Sequence, residues 1–406
     1  MSGENAQISS ARVVIPSDQW EVVGHLVVRL VVGWILGLAG QKIFYSFDRT
    51  WRIARHNPFT QWDAVYYLDI AAKGYDLHST PFFPLFPALI RLTHVASFGL
   101  FGYELSGLLV NVLALAGSVL VVRAFLAEIL DVDSARFGVL PLLWSPASVF
   151  LLSSYNLSLL TFLTASVGLA LLHKKYVVAS ILAALTALTH PLGLGAVLAV
   201  VLALVVAREW RKLLPCFTVS VSGFALYCAY LWVKFGSPFV FQTEQSFFTK
   251  QFTVPFASIW TSLFRVFSED LSAAGQSGMQ FVFQFEMVIA VGAALIALYL
   301  VRTLFQADKS AIPSWLAGMA LYQILVSASL TFVPEFVLPE SGGLTRTVSL
   351  QVPMSYSRWF LTSLGFLAVI SLLTQNTPRL RSSILLGSAA FAVFLQTMFV
   401  AALRYF

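Results

Sequence analysis

The chain has 406 residues, of which 58% are hydrophobic, 14% aromatic and 11% charged, with a mean hydropathy of +0.81. A soluble chain carries roughly 25% charged residues, so there is too little charge here to coat a water-facing surface, and the aromatic content is the reverse of a disordered chain's. The net charge of +6 reads as basic cytoplasmic loops rather than a nucleic-acid surface, which leaves an all-α polytopic membrane protein.

Residues 1–20 are polar, carry Glu4, Arg12 and Asp18, and read as a cytoplasmic tail without the layout of a cleavable signal. Apolar runs long enough to cross a bilayer follow at 22–43, 104–128, 135–153, 156–173, 176–189, 191–207, 213–234, 283–305, 312–333, 356–374 and 382–404. They predict about eleven transmembrane helices. The 176–207 stretch is read as two helices because His190-Pro191 interrupts it, and a residue before proline disfavours helix. Cys216 and Cys228 lie too far apart along one apolar run for a disulfide and read as small buried apolar residues.

With the N-terminus in the cytoplasm, the inside loops hold Arg136, His173-Lys174-Lys175, Arg208 with Arg211-Lys212, Arg302 with Lys309, and Arg379 with Arg381. The short outside loops near 154 and 190 hold no Lys or Arg, which is the positive-inside pattern. The first outside loop carries Arg49, Arg52, Arg55, Lys73 and Arg91, but at about 60 residues it reaches the length where that rule stops applying. Three outside segments, 44–103, 235–282 and 334–355, are longer than connectors need to be, and such loops are usually functional. No domain boundary is visible, so 1–406 is read as one integral unit. Helix-borne charges such as Arg29, Arg123, Lys234 and Glu286 fall toward span ends, where they are expected to snorkel.

The first outside loop contains Gln61-Trp62-Asp63 and continues to Gly74-Tyr75. A helix from about Ala64 aligns Asp63, Tyr67 and Ile70 on one stripe. Trp62, Tyr66, Tyr67 and Tyr75 suit a helix lying at the membrane interface. Asp63 also suits an N-cap, and Asp69 faces water. In Pro81-Phe82-Phe83-Pro84-Leu85-Phe86-Pro87, prolines at every third position predict an extended, polyproline-like plug packed on the bilayer surface. His56, His78 and His94 are expected to pack or solvate at the interface. Asn156-Leu157-Ser158 is a formal glycosylation sequon, but at the bilayer edge it is not expected to be modified.

Trp62-Asp63, Tyr67, Ile70-Ala71, Gly74-Tyr75 and Phe82 to Pro87 together resemble the opening signature of the PIG-V-like mannosyltransferases. The likeness continues in order. Trp144 to Phe150 followed by Tyr155 is similar to the family's third-helix motif, and Thr189-His190-Pro191-Leu192-Gly193 to its Thr-Arg-Pro-x-Gly turn. Phe235 to Phe241 with Gln245 resembles its Gly-[Asp/Ser]-Pro-x-x-Phe…Gln segment, and Met354 to Trp359 its late Met-Pro-Arg-Tyr motif. Two departures bear on the substrate. Many members read Tyr-[Ser/Thr]-Glu where this chain has Tyr155-Asn156-Leu157, and the arginine of the Thr-Arg turn is His190.

The resemblance implies a GT-C-type bundle with a long first extracytoplasmic loop carrying interfacial helices. It also implies transfer of a sugar, mannose by family bias, from a polyprenyl-phosphate donor to a glycolipid, glycan or protein acceptor, with inversion. The catalytic base it implies is Asp63. For the donor phosphate it points to Arg358 first, since arginine clamps phosphate bidentately, then His190, with Lys250, Gln245, Tyr75 and Tyr155 as further binding residues. No metal or other cofactor is expected, because the outer loops lack an Asp-x-Asp pair. The implied setting is a bacterial plasma membrane, or the endoplasmic reticulum membrane in a eukaryote, with the site on the extracytoplasmic face. The competing readings are a secondary transporter and a lipid-binding membrane protein without catalysis.

Overall fold

The computed structural model describes residues 17–47, 59–269, 277–305, 310–339, 345–353 and 356–400. Glu4 and Arg12 of the tail, Arg49, Arg52, Arg55 and His56 of the first loop, Lys309, and Met354-Ser355 lie outside the described residues. Helix α1 (Ser17–Phe47) is followed by α2 (Asp63–Lys73), α3 (Leu85–Ala96), α4 (Tyr103–Ile129), α5 (Val132–Trp144), α6 (Ser148–Leu152), α7 (Leu157–Leu172) and α8 (Tyr176–Ala187). A 3₁₀ turn, Pro191–Gly193, leads into α9 (Leu194–Val206), and α10 (Trp210–Phe235) and α11 (Val240–Thr243) follow, with a second 3₁₀ turn at Glu244–Phe248. The C-terminal part holds β1 (Lys250–Phe252), α12 (Ala257–Ser268), α13 (Ser277–Phe305), α14 (Ser314–Ala328), β2 (Leu330–Phe332), β3 (Glu335–Pro339), β4 (Thr345–Ser349), α15 (Tyr356–Phe360), α16 (Leu364–Leu373) and α17 (Pro378–Val400).

Four of the described helices, α1, α4, α10 and α13, are long and apolar enough to cross a bilayer. Their outward faces carry Leu113, Val233 and Leu298, all largely exposed. Large aliphatic side chains set out along such helices are stable only against lipid, and the chain is an integral membrane protein. Shorter apolar helices include α7, α8 and α14. The main core joins α4, α5, α7, α8, α9, α14 and α16 around residues such as Val119, Phe125, Leu142, Val200, Leu316 and Leu367.

Two of the apolar runs break where the sequence analysis drew continuous helices. The 135–153 run becomes α5 and α6, parted at Ser145-Pro146-Ala147, because Pro146 has no N–H to donate and restricts Ser145 before it. The 356–374 run becomes α15 and α16, the latter started afresh by Ser363, whose hydroxyl accepts from the Phe366 N–H at 3.2 Å. The 176–207 stretch is two helices, α8 and α9, with the interruption at His190-Pro191.

The proline run is not extended. Pro84 is in the right-handed helical region and Leu85, Phe86 and Pro87 form the first turn of α3. Proline is tolerated there because its missing N–H would have had no partner inside the helix. Phe83 and Phe86 are fully buried. The rings of α2 face protein rather than the bilayer surface. Tyr66 stacks on Phe82 with centroids 4.7 Å apart, and Tyr67 sits edge-on to Phe82 and Phe86. Tyr75 donates its hydroxyl to the Phe82 carbonyl at 2.6 Å. A phenol in an apolar setting is stable when its O–H finds a partner, as Tyr75 does in the Phe82 carbonyl. Asp69 does face water, paired with Lys73 at 3.1 Å.

The expected snorkelling is also overturned for three residues. Arg29 is buried, donating from Nε to the Leu143 carbonyl at 2.7 Å and from Nη2 to Ser148 Oγ at 3.0 Å. Arg123 is buried as well, and Glu286 is buried with both carboxylate oxygens accepting from Ser357. A buried charge is held by specific donors or acceptors, since desolvation without them costs several kcal/mol, roughly. Lys234 alone behaves as read, reaching an exposed position where it donates to the Tyr75 carbonyl at 2.6 Å.

Candidate functional site

Helix α2 starts at Asp63 itself, after a turn in which Trp62 takes φ 57°. A non-glycine residue enters that region only under constraint from its surroundings. The turn is tied down from the α6–α7 connection, where Tyr155 is buried and its hydroxyl accepts from the Asp63 N–H at 3.2 Å. Gly74 ends the helix at φ 84°, its N–H returning to the Ile70 carbonyl, a conformation that favours glycine. The Asp63 side chain therefore leaves the positive end of α2 in a fixed direction, and it is not used as a cap.

That direction leads to Arg358. Its Nη1 donates to Asp63 Oδ2 at 2.8 Å, joining residues 295 positions apart in the chain. Arg358 belongs to the short α15, whose start is anchored by Glu286 of α13. The Ser357 N–H donates to Glu286 Oε2 at 2.8 Å and the Ser357 hydroxyl to Oε1 at 2.7 Å. The guanidinium lies over Trp359, Phe150 and Tyr155 at 4.7, 5.3 and 5.6 Å from their ring centroids, contacts that favour a desolvated cation. Its side chain is 7% exposed against 27% for Asp63, so the carboxylate is the member of the pair that solvent or a ligand reaches. Arg358 Nε is buried and has no hydrogen-bond partner among the described residues.

The pair opens on a cavity of about 340 Å³. His190, Gln245 and Lys250 line it together with Asp63 and Arg358, and apolar walls come from residues such as Phe82, Phe241 and Phe248. The His190 ring stacks on Trp359 at 4.0 Å and accepts the Leu192 N–H on Nδ1 at 3.2 Å. With Nδ1 accepting, the proton of the neutral ring sits on Nε2. Burial, with Arg358 and Lys250 adding positive charge nearby, pushes the His190 pKa well below its ordinary value, so the ring is a neutral donor. Gly193 closes this turn. A side chain there would stand 2.1 Å from the Thr186 carbonyl oxygen, so only glycine permits the close approach. Burial lowers the Lys250 pKa too, helped by Arg358 and opposed by Asp63. Burial and the neighbouring Asp63 raise the Tyr155 pKa well above normal, which keeps it a neutral phenol.

The structure thus gathers five of the seven sequence-derived residues at one cavity and sets Tyr155 directly behind Asp63. Tyr75 is apart: it lines a neighbouring apolar groove of about 380 Å³ with Gly74, Arg91, Tyr227 and Tyr230. Leu157, where an acidic residue was looked for, is buried in the core. The amide of Asn156 donates to the Thr189 carbonyl at 2.7 Å in a buried position that leaves no room for a glycan. Sequence reasoning passed over Trp359 and Glu286 as site residues, and also Tyr322, which lines the cavity and donates its hydroxyl to the Pro191 carbonyl at 3.3 Å. Trp359 adjoins Arg358 in the late motif, and that adjacency was the available signal. Glu286 gave a signal too, a lone acid inside an apolar run, but it was read as an end-of-span charge. Among the described residues no three of His, Cys, Asp and Glu cluster as ligands of one ion would.

No protein-family model and no curated protein matches the chain. Three solved structures are similar. The crystal structure of the Archaeoglobus fulgidus oligosaccharyltransferase with Zn and sulfate is 12% identical, with a TM-score of 0.45, 94% of this chain covered and 53% of that one. The archaeal oligosaccharyltransferase AglB from the same organism, in complex with an inhibitory peptide and a dolichol-phosphate, is 13% identical, with a TM-score of 0.41 and coverages of 96% and 56%. The Archaeoglobus fulgidus oligosaccharyltransferase tethered to an acceptor peptide is 12% identical, with a TM-score of 0.44 and coverages of 96% and 55%. The chain spans about half the length of these proteins.

Proposed function

We propose that the chain is an inverting membrane glycosyltransferase that moves a sugar from a polyprenyl-phosphate donor to an acceptor hydroxyl on the extracytoplasmic membrane face. The observation that carries this reading is the Asp63–Arg358 pair, one carboxylate and one incompletely bonded guanidinium, at a cavity with apolar walls. Asp63 uses Oδ2 toward Arg358. Its carboxylate takes the proton of the acceptor hydroxyl while that oxygen bonds to the anomeric carbon. The bond from the anomeric carbon to the phosphate oxygen breaks, and the electron pair leaves with the polyprenyl phosphate. Arg358, Lys250 and the Nε2–H of His190 face that developing charge. A phosphate that engages Arg358 competes with Asp63 for it, so donor binding frees the base.

Among the described residues lining the cavity, Asp63 alone is a carboxylate, which supports a single displacement. By analogy with glycosidases, retention would need a second carboxylate as nucleophile close by. Mannose as the sugar rests on the motif resemblance to the PIG-V-like family. A glycolipid, glycan or protein supplies the acceptor hydroxyl. The Lys and Arg distribution supports eleven crossings in one integral unit, a cytoplasmic N-terminus and an outward-facing site; the membrane is a bacterial plasma membrane, or that of the endoplasmic reticulum in a eukaryote. The rival transporter would set its buried charges along a midplane path. Arg29 and Glu286 are instead bonded to neighbouring helices and connections.

The test is transfer from a radiolabelled polyprenyl-phosphate sugar in membranes bearing the full chain. Asp63→Asn is expected to lower the rate by about 10²–10⁴, the usual worth of a general base. An unchanged rate removes Asp63 from that role, and no transfer by the wild-type chain from any polyprenyl-phosphate sugar removes the reading.

A further inference from the structure

Helix α12 is built inside out for a helix in water. Its inward face is Ser258, Ser262 and Val266, at 2%, 1% and 2% exposure, while Trp260, Phe264 and Phe267 stand outward at 87%, 84% and 51%. These three share one stripe at i, i+4 and i+7. Ser262 Oγ accepts the Gln351 N–H at 2.9 Å, which fixes the rotation of the helix and so the outward direction of the rings. Val266 packs with Phe283 and Met287 near the start of α13, so α12 docks at one end of that spanning helix, whose Val288, Leu295 and Leu298 are exposed. Arg265, exposed beside Phe264, adds a cation at the same level. Upstream, β1 carries Lys250 and Phe252 in the cavity wall, and Phe252 and Val254 are themselves exposed.

We propose that α12 lies in the headgroup–acyl boundary of a phospholipid leaflet, with Trp260, Phe264 and Phe267 immersed and Arg265 at the lipid phosphates. Three outward aromatics on one short helix are stable in that boundary, where rings settle and arginine stems extend toward phosphate. The occupant of the stripe is lipid because α12 docks at the end of a spanning helix, where the headgroup region begins, and turns its rings away from the protein. As a consequence, the β1 wall of the cavity is held at membrane level, next to the acyl chains. The inference stands whether or not the chain transfers sugars.

The experiment uses the full chain with Phe264→Cys carrying a nitroxide label, reconstituted in phosphatidylcholine–phosphatidylglycerol nanodiscs. The wild-type chain, whose Cys216 and Cys228 are both buried, is the blank. Collision with dissolved oxygen is compared with collision with a water-soluble nickel chelate. Leu298→Cys gives the hydrocarbon reference and Lys174→Cys, in an exposed turn, the aqueous one. The oxygen-to-nickel ratio at 264 is expected to be several-fold above that at 174 and near that at 298, with Trp260→Cys giving the same ordering. A ratio equal to that at 174 overturns the proposal. So does shielding from both reagents with spin–spin broadening, which would mean that a second copy of the chain covers the stripe.

Discussion

The segment from Asp63 to Ala96 and helix α12 are both short, aromatic and set outside the long apolar helices, yet they turn their rings in opposite directions. In the first, Tyr67, Phe83 and Phe86 point inward and are covered. In the second, serines point inward and the rings point out. The difference teaches that aromatic content marks neither interior nor membrane surface by itself. What decides is which face makes the directional bonds. Around α2 the phenols hydrogen-bond to protein, Tyr75 to Phe82 and Tyr227 to Thr80, and pull their rings in. On α12 the bond is made by Ser262, which leaves the rings for the other side.

Truncations should break that comparison most sharply. Phe83→Ala, at a fully buried position, is expected to cost about 3–5 kcal/mol, read as a large fall in unfolding temperature in detergent. Phe264→Ala should stay within about 0.5 kcal/mol in the same assay; equal losses at both positions would mean that α12 is covered by protein. Next in size is Ser262→Ala. It leaves the part-buried Gln351 N–H without its acceptor and should cost about 1 kcal/mol, more than any of the three exposed rings of the same helix.

Tyr155→Phe removes the bond to the Asp63 N–H and should cost about 0.5–1.5 kcal/mol. Because the turn that aims Asp63 is loosened, the transfer rate should fall further than stability does, and a matching fall in both would make Tyr155 a packing residue only. The smallest expected effect is on pH. The pKa of Lys250 is lowered, by burial first and Arg358 second. Its positive charge is therefore lost as pH rises through a value below the free-lysine range near 10.4. Binding of a polyprenyl phosphate should weaken on that alkaline limb, and Lys250→Arg should move the limb to higher pH. An unmoved limb would take Lys250 out of phosphate binding.

Asp63 and Arg358 could be picked from the sequence because charge is scarce in this chain and each sits in a motif-like setting. Their pairing could not, since 295 positions separate them and nothing local reports what lies opposite. The same holds for Glu286 and Arg29, read as snorkelling from their place in a run and found bonded to Ser357, Leu143 and Ser148. The break at His190-Pro191 was visible because proline acts on its own neighbours. Pro146 sent the same signal and was absorbed into an apolar run.

Hydropathy and chain stiffness are properties of consecutive residues, so the sequence by itself determined that the protein lives in a membrane, where its long apolar helices run and where prolines interrupt them. Which carboxylate meets which cation, which rings turn to lipid, and how one cavity draws on α2, the α8–α9 turn, β1 and α15 depend on partners far along the chain. Those were decided only by the tertiary structure, because hydrogen bonds and ion pairs are satisfied by what stands across a gap of a few ångströms rather than by what stands next in line.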